Sequence, residues 1–175
     1  PIAGTIRALI EREQAHGVVA CDVNVRLNVV PDLARWRDTV AWMAGHASLL
    51  KLSDEDFTHL YPGEAPAARA AAWLRAGVSL VVLTRGSEGA TAWGRTAGEV
   101  SVPPVPTPLV DTVGAGDTFQ AATLAALAEH GWLSRTALAG LDAPAAAAVL
   151  GFAARAAALT CSRRGADLPR RAELR

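Results

Sequence analysis

Three short runs with almost no polar interruption limit the fold more than any other feature: Val18 to Val23, Ala47 to Leu52 and Val78 to Leu83. A uniformly apolar run of this length reads as a strand covered on both faces, the setting of a parallel strand flanked by helices. The stretches before these strands have helical period instead. Thr5 to Gln14 places Ile6, Leu9 and Ile10 on one face; the stretch after Pro31 carries Leu33, Trp36, Val40, Trp42 and Met43 as far as Gly45; and Ala65 to Ala76 stops at Gly77. Beyond the third run, Ala90 to Trp93 and Glu99 to Val102 read as shorter strands around turns at Gly94 and Gly98. The alternation predicts one α/β domain over residues 1–175, layered α-β-α, with a mainly parallel sheet. Right-handed crossovers then put ligand sites outside the carboxyl ends of the strands. Polar residues cluster there: Asp22, Asn24 and Arg26 after the first strand, Lys51 and Ser53 at the second, Thr84, Arg85 and Gly86 at the third. If the first strand continues, period two turns Asp22, Asn24 and Arg26 into one crevice with Val23 and Val25 packed behind.

Composition excludes several classes. With 51% hydrophobic and 19% charged residues the chain can bury a sizeable core and is not disordered. Lys and Arg number 17 against 17 Asp and Glu, so no electrostatic case exists for nucleic acid or an acidic membrane as partner. The apolar stretch Ala137 to Cys161 is broken by Asp142, Pro144 and Arg155, which argues against a membrane span; with no signal-peptide pattern visible, a cytoplasmic location is expected. Cys21 and Cys161 lie far apart without a neighbouring His or Cys and are expected to be buried thiols. His16, His46, His59 and His130 are scattered singly and suit surface or capping positions.

The chemistry is concentrated in Val110-Asp111-Thr112-Val113-Gly114-Ala115-Gly116-Asp117-Thr118-Phe119. Gly114 and Gly116 permit a tight turn and a close ligand approach, and Phe119, Ala122, Leu124, Leu127 and Ala128 continue with helical spacing to His130-Gly131. Free N–H groups at that helix start, with the helix dipole, form a small anion-binding pocket. Asp117 lies on the first turn, beside the held anion, an arrangement suited to phosphoryl transfer. The dinucleotide fingerprint is absent because Gln120 and Ala121 follow Phe119 with no third glycine, and the Walker loop is absent for want of Gly-Lys-Ser/Thr.

The string Asp111 to Phe119 resembles the C-terminal signature of the ribokinase-like (PfkB) carbohydrate kinases, most closely their fructokinase-type members. The resemblance implies ATP-dependent phosphorylation of a sugar hydroxyl, with Asp117 as base and the amides of Gly114, Ala115, Gly116 and Asp117 as anion hole. Asp22-Val23-Asn24-Val25-Arg26 is similar to the family's Asp-x-Asn-x-Arg segment, which implies Asn24 and Arg26 near the phosphate path or substrate, with Leu27 where a proline is common. Lys51-Leu52-Ser53-Asp54-Glu55-Asp56 resembles the segment that positions Mg²⁺ through water. Ser53 and Asp56 take its two places, Asp56 one methylene shorter than the usual Glu, while an N-capped helix with an acidic first turn accounts for the same residues. Lys51, Thr84, Gly86 and Gly89 are implied at the nucleotide. Asp111 is implied at a monovalent cation such as K⁺, and Gly165-Ala166 resembles the family's closing pair.

The resemblance covers only the family's C-terminal part, so the N-terminal strands, most sugar contacts and the lid are expected to be missing. Two readings follow: a sugar kinase region working as a homodimer or with a complementing N-terminal chain, or a truncated noncatalytic remnant that binds nucleotide or a partner chain.

Overall fold

The computed structural model describes residues 2–174. In chain order the elements are α1 (Ile2–Glu13), β1 (Ala20–Asp22), α2 (Leu33–Ala44), β2 (Leu49–Ser53), α3 (Asp54–Leu60), α4 (Pro66–Ala76), β3 (Leu80–Thr84), β4 (Ala90–Gly94), β5 (Gly98–Val102), α5 (Ala115–Glu129), α6 (Arg135–Ala139) and α7 (Ala143–Cys161). Short 3₁₀ turns occupy Gly86–Glu88 and Arg171–Leu174. The five strands form one sheet in the order β1-β2-β3-β4-β5. β1, β2 and β3 are parallel; β4 is antiparallel to β3 and β5 antiparallel to β4, so four of the five strands point the same way. The expected α/β architecture with a mainly parallel sheet is present, finished at one edge by a meander.

Period two in the strands separates two cores. Leu49, Leu80, Val82, Ala90 and Ala92 face α5 and α7, meeting Phe119, Leu127, Val149 and Leu150. Leu50, Leu52, Val81, Leu83 and Trp93 face the opposite layer, where Val40 and Ala44 of α2, Phe57 and Leu60 of α3 and Trp73 of α4 close over them. A strand apolar on both faces must be covered on both, which is why β2 and β3 read as continuous hydrophobic runs.

Two expectations need correction. The first strand is shorter than Val18 to Val23, and the chain leaves strand geometry after Asp22: Asn24 adopts φ +44°, in the left-handed region. The polar residues still turn one way and Val23 and Val25 are still buried, but a bend accomplishes this instead of strand alternation. Cys21 and Cys161 are half-buried rather than enclosed. The apolar face of α1 has no buried residue, and Ile2, Ile6 and Leu9 are exposed at its surface.

α7 is long and apolar enough to cross a membrane by length and composition alone. Its Ala146, Val149, Leu150, Ala153 and Ala156 are buried in the core shared with α5 and the sheet, which accounts for the composition.

Candidate active site

The motif loop and the start of α5 are fastened to the far end of α7. Val110 and Asp111 donate their N–H groups to the Cys161 carbonyl at 2.8 and 3.2 Å. Asp111 accepts from Val113 N through Oδ1 at 3.0 Å and from Gly165 N through Oδ2 at 2.8 Å. These backbone N–H groups hold its carboxyl below the usual carboxylate value. The buried hydroxyls of Thr118 and Thr160 meet at 3.0 Å. Gly114 caps α5 at φ +79°, and a Cβ there would lie 2.9 Å from the Ala166 Cβ. A side chain at position 114 is therefore excluded twice, by conformation and by contact.

This anchorage leaves the helix start open. Ala115 N–H is engaged by the Thr112 carbonyl at 3.2 Å and Thr118 N–H by that of Gly114, whereas Gly116 and Asp117 N–H have no acceptor among the described residues. Asp117 is exposed and no described group hydrogen-bonds its carboxylate. Gly114, Gly116 and Asp117 line a cavity of about 820 Å³ at the carboxyl ends of the strands, together with Asp22, Asn24, Arg26, Lys51, Ser53, Asp56, Thr84 and Gly86. Eleven sequence-selected residues thus share one crevice, as the strand-end rule requires.

Beneath the helix start lies a buried ion pair. Asp22 and Lys51 are direct partners in the β1–β2 register, and Lys51 Nζ donates to Asp22 Oδ2 at 2.6 Å. The Lys51 side chain is 4% exposed and that of Asp22 20%. Burial pushes the Asp22 carboxyl above its ordinary value; Lys51 opposes this, and the charges of Asp56 and Asp117 add to it. The pairing was missed from sequence, although one signal was available: each residue is the charged exception in an apolar strand.

Asp56 has a structural duty as well as a place in the cavity. Ser53 Oγ accepts from Asp56 N at 3.0 Å and Asp56 Oδ2 accepts from Ser53 N at 3.3 Å, forming a capping box at the start of α3. Asp56 Oδ1 accepts from Val25 N at 2.9 Å and thereby holds the bend that presents Asn24 and Arg26. Replacing Ser53 by Ala removes half the box; the expected loss is about 1 kcal/mol of stability, read from urea unfolding.

The remaining residues divide. Thr84 ends β3 at the cavity wall and Gly86 follows at φ +49°. Gly89 does not line the cavity; it is buried against the Val102 carbonyl. Ala115 and Asp111 lie outside the lining too, and Arg85 turns away from it, donating from both Nη atoms to the buried Thr91 Oγ1. His59, expected at the surface, is exposed but stands at the cavity wall. Among the described residues no three His, Cys, Asp or Glu side chains are grouped to hold a metal alone. Asp22, Asp56 and Asp117 nevertheless border one cavity, a donor set that fits a hard cation bringing its own waters and sharing phosphate oxygens.

An open helix start, an unpartnered carboxylate and a buried lysine thus meet at the strand ends of a layered α/β fold. The model of the pfkB family carbohydrate kinases matches residues 4–173, and the chain belongs to that family. A fructokinase of Rhizobium leguminosarum bv. trifolii is 38% identical over 142 residues, covering 81% of this chain and 43% of that protein. A fructokinase of Klebsiella pneumoniae is 36% identical over 130 residues, 73% of this chain and 41% of the relative. Among solved structures, a Xylella fastidiosa fructokinase with bound ATP superposes with a TM-score of 0.84 at 26% identity, over 99% of this chain and 55% of that one. A Vibrio cholerae O395 fructokinase in fructose, ADP and calcium ion bound form gives 0.82 at 25% identity, with the same coverage. The chain spans less than half the length of the curated relatives it matches.

Proposed function

We propose that this chain is the nucleotide-binding and catalytic part of an ATP-dependent sugar kinase of fructokinase type. The observation that carries this reading is the open start of α5, where two unengaged N–H groups and the exposed Asp117 carboxylate border one strand-end cavity. Asp117 accepts the proton of a sugar hydroxyl as that oxygen attacks the γ-phosphorus of ATP. The bond from that phosphorus to the β–γ bridging oxygen breaks, and ADP leaves with its electron pair. The transition state spreads charge over the transferring oxygens, so preorganised N–H groups act where that charge is carried. Gly114, Gly116 and Asp117 supply them, with the Ala115 N–H released from Thr112 as a further donor.

Arg26 and Asn24 meet phosphate or sugar oxygens from the opposite side, the guanidinium being suited to bidentate contact. Thr84 and Gly86 border the nucleotide, with Lys51 and Ser53 toward its phosphates, and Gly89 acts there only by holding the loop. Asp56, with Ser53, would hold Mg²⁺ through water, and Asp111 with carbonyls of its loop would hold K⁺; when bound, Mg²⁺ neutralises phosphate charge. The single catalytic domain works in the cytoplasm as a homodimer or completed by an N-terminal chain. Among the described residues the outer edge of β1 is unpaired and the apolar face of α1 buries no residue, which supports a covering element.

The test is ATP consumption with fructose, ribose, 2-keto-3-deoxygluconate and nucleosides in parallel, beside nucleotide binding by calorimetry. ADP release that depends on fructose is expected. Nucleotide binding without consumption across the panel would favour the noncatalytic remnant instead.

A further inference from the structure

Lys51 is the most deeply buried charged residue among those described, at 3% exposure, and the carboxylate that accompanies it belongs to the neighbouring strand. Buried ion pairs are weak devices for stability, because an apolar pair of similar volume serves as well or better. Such a pair in the wall of a cavity points to a use for the charge. The geometry shows which use. Lys51 Nζ lies 3.5 Å from the point where a Cβ on Gly116 would stand, so nothing but the bare glycine separates the ammonium from the turn with free N–H groups. Lysine is a point charge on a flexible four-carbon stem and keeps one position only when something holds it. Asp56 and Asp117 also border this cavity and would compete for the ammonium.

We propose that Asp22 is a positioning residue for phosphoryl transfer: its carboxylate pins the Lys51 ammonium beneath Gly116, adding a fixed positive charge to the anion-binding amides of Gly116 and Asp117. The inference rests on the kinase reading. Asp22 does not touch the transferring group; it acts through Lys51. Its removal therefore matters only while the ammonium is present. A charge under the helix start also acts on the transferred phosphate more than on the rest of the nucleotide, so ATP binding feels it and ADP binding does not.

The experiment compares wild type, Asp22→Asn, Lys51→Met and the double variant in the native protein, with Mg²⁺-ATP and Mg²⁺-ADP as calorimetric probes and fructose-dependent turnover as the rate. Each single change is expected to lower kcat by about 10²-fold and to weaken ATP severalfold with ADP unchanged, in line with loss of one preorganised electrostatic contact. The double variant is expected to match Lys51→Met alone, a non-additivity that marks action through one group. Where Asp22→Asn does not fold, Asp22→Glu decides. It keeps the charge and the pairing but displaces the ammonium, and should lower kcat with melting temperature and sugar KM unchanged. Effects that multiply in the double variant, an unaltered ratio of ATP to ADP affinity, or a fully active Asp22→Glu would each overturn the proposal. A wild type that binds neither nucleotide would overturn the kinase reading and this one with it; an active wild type with an equally active Asp22→Asn overturns this one alone.

Discussion

Asp117→Asn is expected to abolish turnover, lowering kcat by about 10³-fold or more, while the protein still folds and binds nucleotide. General-base assistance typically contributes about 10²- to 10⁴-fold, and an amide of the same shape cannot accept the hydroxyl proton. The fold should tolerate the change because Asp117 is exposed and no described group hydrogen-bonds its carboxylate. Only its interaction with the helix dipole is lost, worth about 0.3–1 kcal/mol at an exposed helix start. Nucleotide affinity should be equal or slightly tighter, since a negative charge beside the phosphates has gone. Steady-state kinetics and calorimetry on one preparation decide the matter. Wild-type turnover in the variant would remove Asp117 from the chemistry.

Gly89→Ala is expected to be the most destabilising small substitution in the β3–β4 loop. Gly89 adopts φ +87° and ψ −143°, a region open essentially to glycine alone. An added Cβ would stand 2.2 Å from the Val102 carbonyl oxygen and 2.9 Å from backbone atoms of Pro103 and Pro104. All three neighbours are main-chain atoms and cannot rotate aside. Backbone strain costs about 1–3 kcal/mol and overpacking about as much again, so a loss of roughly 2–6 kcal/mol is expected. In a chain of this size that corresponds to a fall in melting temperature of roughly ten degrees, measurable by circular dichroism. A melting temperature within about two degrees of wild type would show that the strand meander moves aside more easily than its hydrogen bonds suggest. Gly86 provides the contrast: its φ is +49°, but a Cβ there meets nothing within 4 Å, so a substitution meets conformational strain alone.

These two residues show how differently position and duty are encoded. Asp117 could be placed from its neighbours in the chain, because a glycine turn followed by helical spacing locates a first-turn carboxylate whatever the fold around it. Gly89 looked like part of a nucleotide loop, since a glycine immediately before a strand gives no sign of which backbone runs past it. Asp56 is intermediate. The capping box is a local pattern and could be read from Ser53 and Asp56, whereas the bond from Val25 crosses 31 residues and follows from no local rule.

The amino-acid sequence by itself determined the apolar strands β2 and β3, the helices that alternate with them, the glycine turn before α5 and the cap of α3. Each depends on residues within one or two turns of chain, where period, propensity and capping act directly. The tertiary structure alone decided that Asp22 faces Lys51 across two strands, that Ala166 closes against Gly114, and that Arg85 turns from the cavity to Thr91. Those contacts depend on strand register and on how α7 packs against α5. Register and packing minimise the free energy of the whole chain at once, so no short window of residues contains them.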